Sequence, residues 1–214
     1  MLGIVFTNKG DDLFRLNYQP KLSRLKNTLR IWASRDLTPI GRNIIVKSFG
    51  LSQLVYLFLV LPNPPSSFIK EVENIIFNFI WAGNPDKIKR TTIINPISDG
   101  GLKVTHISTF IDSLKCTWVR RYVDDLNGPW KFFFDSNLSV YGKKYFFNCN
   151  CSPCDVRSIG NNFVRQVMEA WCRASFTTPR GDFGIQHIWN NSNIRVTGKI
   201  VFYSRLFGKQ RSVC

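Results

Sequence analysis

Tyr122-Val123-Asp124-Asp125 is the run whose residue types come closest to metal-dependent chemistry. Nucleotidyl transfer uses two Mg2+ ions held by carboxylates, one activating the attacking hydroxyl and one supporting the leaving phosphate. Adjacent Asp residues after Tyr-x are one form of half such a site, provided that they sit on a hairpin and a strand supplies a third Asp. The flanking sequence predicts something else. Ile107, Phe110, Ile111, Leu114, Trp118, Val119 and Tyr122 recur at helical spacing, which makes Tyr122 the last rung of a helix entered after Thr105. Asp11, Asp12 and Asp36 fall in a turn, a helix start and an interhelical loop. Asp124 and Asp125 then read as acids at a helix C-terminus, opposing its dipole, with Arg120 and Arg121 as the offset. No residue is assigned a catalytic role.

The other chemistry-bearing groups are weaker. Cys149, Cys151 and Cys154, with Cys172 and His187 further on, offer thiolate and imidazole ligands of the kind Zn2+ prefers, but at irregular spacing, so no metal ligand is assigned. Gly100-Gly101 lacks the strand and the motif of a phosphate loop and reads as a turn. His106 sits at a helix start. Two histidines do not build a Ser/His/Asp or Cys/His constellation. Asn137 and Asn190 begin Asn-x-Ser patterns, which matter only in a secreted chain.

What remains is cationic. The 214-residue chain has 29 Lys and Arg against 14 Asp and Glu, a net charge of +15. Residues 1–90 hold 13 basic and 6 acidic groups, 91–130 hold 4 and 4, and 131–214 hold 12 and 4. An excess of this size predicts a polyanionic partner. The candidate contacts are Lys21, Arg24, Lys26, Arg30, Arg42 and Lys47 on helices, and Lys87, Lys89 and Arg90 in a connector. Hydrophobic content of 44% suits a folded protein with a real core and excludes disorder throughout. No membrane partner is expected: the most apolar stretch, Leu54 to Leu61, is stopped by Pro62 and preceded by Ser52-Gln53, short of the roughly 20 residues a span needs. The N-terminus lacks secretory-signal features, so an intracellular protein of the cytoplasm or nucleus with six reduced cysteines is expected.

The elements that must position these cations are mainly α. Leu2 to Phe6 predicts a short strand cut from a larger sheet. Leu22, Leu25, Leu29 and Trp32 form the apolar stripe of a helix whose other positions are basic. Thr38-Pro39 starts a helix that runs to about Leu61, and Phe68, Val72, Ile75, Ile76, Phe79 and Ile80 define a third, ending at Gly83. Residues 1–10 are therefore expected as a residual strand and turn, 11–83 as a helical bundle, and 84–127 as a connector plus amphipathic helix. Residues 128–214 are expected as an aromatic-rich, basic, smaller mixed α+β subdomain. Within it, Phe163, Val164, Val167, Met168 and Trp171 predict a helix, and Ile194 to Tyr203 a hairpin.

The order of several short features resembles one family. Leu2-Gly3-Ile4, Tyr18-x-Pro20-Lys21-Leu22, Leu29-x-x-Trp32 and Arg35-Asp36-Leu37-Thr38-x-x-Gly41-Arg42-x-x-x-x-Lys47 are followed by Leu61-Pro62, Phe79-Ile80-Trp81, Lys87-Ile88-Lys89-Arg90 and Gly100-Gly101-Leu102. This string is similar to the reverse transcriptase (RNA-directed DNA polymerase) of LINE-type non-LTR retrotransposons. It matches the end of the palm, the helical thumb and the region after it. Trp118-Val119-Arg120-Arg121, Gly128-Pro129-Trp130, Trp171 and Ile188-Trp189-Asn190-Asn191 extend the likeness. The resemblance implies that the catalytic Asp residues, and the Mg2+ used by the full-length enzyme, belong to upstream sequence. It implies no cofactor in this chain, and as partners RNA, RNA–DNA hybrid or DNA and the palm and fingers of the parent polyprotein. A truncated enzyme that grips template-primer without sequence preference is the leading expectation. Its alternatives are a host-recruited protein-interaction module and a catalytic polymerase using Asp124 and Asp125.

Overall fold

In the first helix, Leu22, Leu25 and Leu29 lie on one face, and all three are buried. Full burial of each such side chain is worth about 2 kcal/mol before the entropy of ordering it is subtracted. A computed structural model describes residues 3–7, 10–123, 128–139, 147, 156–177, 195–196 and 199–200. The described residues are mainly helical, and the chain divides into two compact units, Met1–Leu114 and Lys115–Cys214.

In the first unit α1 spans Gly10–Ala33, starting earlier than the leucine stripe alone predicts. Its added N-terminal turns carry Tyr18, whose ring meets Phe14, Phe58 and Phe68 at centroid distances of 5.4, 6.1 and 5.3 Å. The Tyr18 hydroxyl lies 2.9 Å from the Pro62 carbonyl and 3.3 Å from that of Leu57. One side chain thus ties the first helix to the end of the second. Pro20, inside α1, removes one backbone donor, a loss outweighed by the anchored residues on either side of it.

The helix expected after Thr38 forms with the expected limits. Thr38 accepts from the Gly41 amide at 3.2 Å, Pro39 opens the first turn, and the stretch ends at Leu61. It comprises α2 (Pro39–Ile45), a π-helical stretch (Val46–Leu51) and α3 (Ser52–Val60). The π stretch contains buried Gly50, where a β-carbon would stand 3.0 Å from Leu25 Cδ1. Close approach to α1 is made at this glycine. Because Ser52 and Gln53 do not interrupt it, the helical stretch reaches 22 residues, enough by length and composition alone to cross a membrane. This corrects the shorter apolar segment expected from the sequence. Here Val46, Leu51, Leu54, Leu57 and Phe58 of that stretch belong to the core of the bundle.

α4 (Ser66–Ile80) buries Phe68, Val72, Ile76, Phe77, Phe79 and Ile80. Beyond it come α5 (Arg90–Ile94), a 3-10 turn (Ile97–Asp99) and Gly100-Gly101. A β-carbon on Gly101 would lie 2.0 Å from the Asn95 carbonyl oxygen, so only glycine lets the chain fold back here. The returning backbone then donates from Leu102 and Val104 to Ile93 O at 2.9 and 3.2 Å. Asn43 of α2 donates to Leu102 O at 2.7 Å. The connector is therefore part of the first unit, whose core includes Ile93, Val104, Ile107 and Ile111.

The expected N-terminal strand is not present at Gly3 to Thr7. The Val5 amide donates to Asn17 Oδ1 at 2.9 Å, and Asn17 Nδ2 donates to Val5 O at 2.8 Å. A side-chain amide supplies the donor and acceptor that a neighbouring strand would offer.

The unit boundary falls within α6 (Ile107–Val123). The second unit's described helices continue with α7 (Pro129–Leu138) and α8 (Asn162–Thr177), the latter on the predicted pattern, with Val164, Val167, Met168 and Cys172 buried. Asn161 Oδ1 accepts the Val164 amide at 3.1 Å at the start of α8. This core is aromatic: Trp118 meets Trp130, Phe134 and Phe163, and Tyr122 meets Phe134 and Phe147. Residues β1 (Arg195–Val196) and β2 (Lys199–Ile200) pair antiparallel where the hairpin was expected. The mixed α+β character expected of residues 128–214 falls largely outside the described residues.

Candidate nucleic-acid interface

The nine cations singled out in the sequence separate into two groups. Arg42 belongs to the fold. It is 7% exposed, its Nε donates to Leu37 O at 3.1 Å, and a terminal nitrogen donates to Phe79 O at 3.1 Å. The guanidinium carbon also lies 5.1 Å from the centre of the Phe79 ring. Phe79 is in the last turn of α4, and Arg42 caps the helix end by sharing its carbonyl with the Ala82 amide, which donates at 3.2 Å. The phosphate contact expected at Arg42 is corrected accordingly, because its donors face backbone oxygens.

Arg90 is also engaged: Nε meets Asp86 at 2.7 Å, a terminal nitrogen meets Asn74 Oδ1 at 2.8 Å, and the guanidinium lies 4.5 Å from the Phe77 ring centre. Lys26 pairs with Glu71 at 2.8 Å, with both side chains about half exposed (51% and 47%). Lys47 is exposed, and its Nζ donates to Lys103 O at 2.7 Å. Partial burial, and after it the neighbouring Lys103 charge, hold the Lys47 ammonium below its ordinary pKa.

The remaining five are open. Arg24 and Arg30 are exposed and Lys21 half-buried on α1, and Lys87 and Lys89 are exposed just before α5. None of these five has an ion pair among the described residues. On α1 they flank the buried Leu22, Leu25 and Leu29, so the packing that buries the apolar stripe directs these cations outward. Such a surface can neutralise phosphates along a backbone, contacts that position a nucleic acid without specifying its sequence.

Tyr122 lies in the last turn of α6 and is fully buried, with its hydroxyl bonded to Asp135. Burial, reinforced by that carboxylate, raises the phenol pKa. The helical reading of this residue therefore holds, while Asp124 and Asp125 lie outside the described residues. So do Cys149, Cys151, Cys154 and His187. Among the described residues no three His, Cys, Asp or Glu side chains come together as a metal site. His106 Nδ1 is 2.8 Å from Thr109 Oγ1, at the entrance to α6. Cys116 and Cys172 are thiols.

Sequence reasoning passed over two groups. Lys103 has a backbone φ of +54°, a left-handed conformation that nothing in Gly-Gly-Leu-Lys announces. Lys115 is wholly buried, with Nζ 4.3 Å from the Phe163 ring centre, and burial lowers its pKa to about 7. Its position on the apolar side of α6, between Ile111 and Val119, was the available signal.

No family model matches this sequence.

Proposed function

We propose that this chain is the thumb and following region of a LINE-type non-LTR retrotransposon reverse transcriptase, binding template-primer through its phosphates without sequence preference and carrying no polymerase chemistry of its own. The observation that carries the binding is the set of five cations without ion pairs, Lys21, Arg24, Arg30, Lys87 and Lys89, held outward by a packed helical unit. The ordered sequence resemblance supports the family, and the buried, helical Tyr122 supports the absence of a catalytic hairpin.

The test is fluorescence anisotropy of the full chain with a labelled RNA–DNA hybrid across a salt series. Engagement of all five cations gives a log–log slope of about −4, and charge reversal at Lys21, Arg24 and Arg30 brings it to about −2. Scrambling the hybrid sequence leaves affinity unchanged. No detectable binding at low salt sinks the reading.

Ile40 and Ile44, one turn apart on α2 and 59% and 57% exposed, favour a protein-interaction module as the second reading. That reading expects a stable protein complex that survives neutralisation of the five cations.

A further inference from the structure

Lys47 and Lys103 come from different elements, the π stretch after α2 and the chain returning from Gly100-Gly101, yet the Lys47 ammonium sits on the Lys103 carbonyl at 2.7 Å. That bond uses one of three ammonium donors and leaves two. Both side chains are exposed, and neither has an ion pair among the described residues. The Lys103 charge acts on the Lys47 ammonium, and no ion pair at either lysine offsets it among the described residues, an arrangement that repels itself and is relieved by a bound anion.

The backbone beneath Lys103 is braced from both sides. Its amide donates to Asn95 O at 2.9 Å, and the preceding carbonyl accepts from Asn43 Nδ2 at 2.7 Å. Within this brace Lys103 holds φ +54°, a region disfavoured for a residue with a β-carbon and open to glycine without strain. Strain of this sort is retained where surrounding structure over-determines it, and it concentrates at ligand clamps.

We propose that Lys47 and Lys103 form a two-point clamp for one backbone phosphate of the bound nucleic acid, with Lys103 the specific contact and Lys47 oriented through the Lys103 carbonyl. The nucleic-acid part of this inference rests on the function proposed above; the anion clamp does not.

Brief acetylation of the full chain, read residue by residue by mass spectrometry, tests it in three arms at equal ionic strength: chloride, pyrophosphate, and RNA–DNA hybrid. Acetylation of Lys47 and Lys103 is expected to fall several-fold in both ligand arms, with Lys70, an exposed lysine of α4, as the reference for unspecific protection. Lys103→Gly removes one ammonium and relieves the backbone. It is expected to melt no lower than the parent and to abolish pyrophosphate protection of Lys47.

The clamp is overturned if the pair is acetylated equally with chloride and pyrophosphate, or if Lys103→Gly leaves Lys47 protected. Hybrid that binds and protects Lys21 and Lys87 but not this pair also overturns it, with the proposed function intact. Pyrophosphate protection without hybrid binding keeps the anion clamp and rejects the nucleic-acid reading.

Discussion

Arg42 in the first unit and Lys115 in the second are both removed from solvent, at 7% and 0% exposure, in different ways. Arg42 is surrounded by acceptors: two backbone carbonyls and the face of Phe79. Lys115 lies over Phe163 in a unit whose core is built from Trp, Tyr and Phe, and burial pulls its pKa down to about 7. Side-chain chemistry sets what each cation can do when buried. A guanidinium does not lose its proton in a protein, so its burial requires oxygens aimed at it; an ammonium can shed the proton when the surroundings penalise charge. A buried cation is therefore a fixed strut in one unit and a titrating group in the other.

Removing the strut should have the largest effect. Arg42→Met leaves the Leu37 carbonyl without its side-chain donor and the Phe79 carbonyl with only the Ala82 amide, and is expected to cost about 3 kcal/mol, measured as the shift in urea unfolding free energy. Arg42→Lys, which has no fork, should recover only a minor part. A neutral Arg42→Met would remove the distinction between the two units. Gly101→Ala follows, at roughly 2–3 kcal/mol, since a β-carbon 2.0 Å from Asn95 O forces the connector to move. An unchanged urea midpoint would mean that the connector is not integral to the first unit.

The titrating group gives a pH signature. Lys115 releases its proton near pH 7 when folded, against an ordinary value of 10.5. Between these values the unfolded chain holds the extra proton, so stability rises with pH, by up to about 1.4 kcal/mol per unit. Below the folded pKa the lysine is charged in both states and contributes no slope. Urea midpoints at pH 7, 8 and 9 should climb more steeply for the parent than for Lys115→Met; parallel curves would contradict the assignment. Glu71→Gln, which breaks the half-exposed pair with Lys26, should cost no more than about 0.5 kcal/mol by the same measurement. A larger loss would make Lys26 a strut like Arg42.

The helices could be read in the sequence to the extent that their signals are local. Thr38-Pro39 and Pro62 bracket the second helical stretch, and the apolar periods of α4, α6 and α8 mark their buried faces, because capping and 3.6-residue periodicity act within a few residues. The candidate interface could be read only in part. Arg42 and Arg24 look alike in sequence, each a cation within a helical pattern. One meets the Phe79 carbonyl at the end of α4, 37 residues further along, and the other meets solvent.

By itself the sequence determined the helical character, the placement of the apolar stripes and the excess of positive charge, since each follows from side-chain chemistry and short-range spacing. Tertiary structure decided which cations remain at the surface. It also replaced the expected strand partner of Val5 with the Asn17 side chain, put Lys103 in a left-handed conformation beside Lys47, and buried Lys115. These outcomes depend on which distant carbonyl, ring or charge packing brings within a few ångströms, and local sequence patterns do not encode that distance.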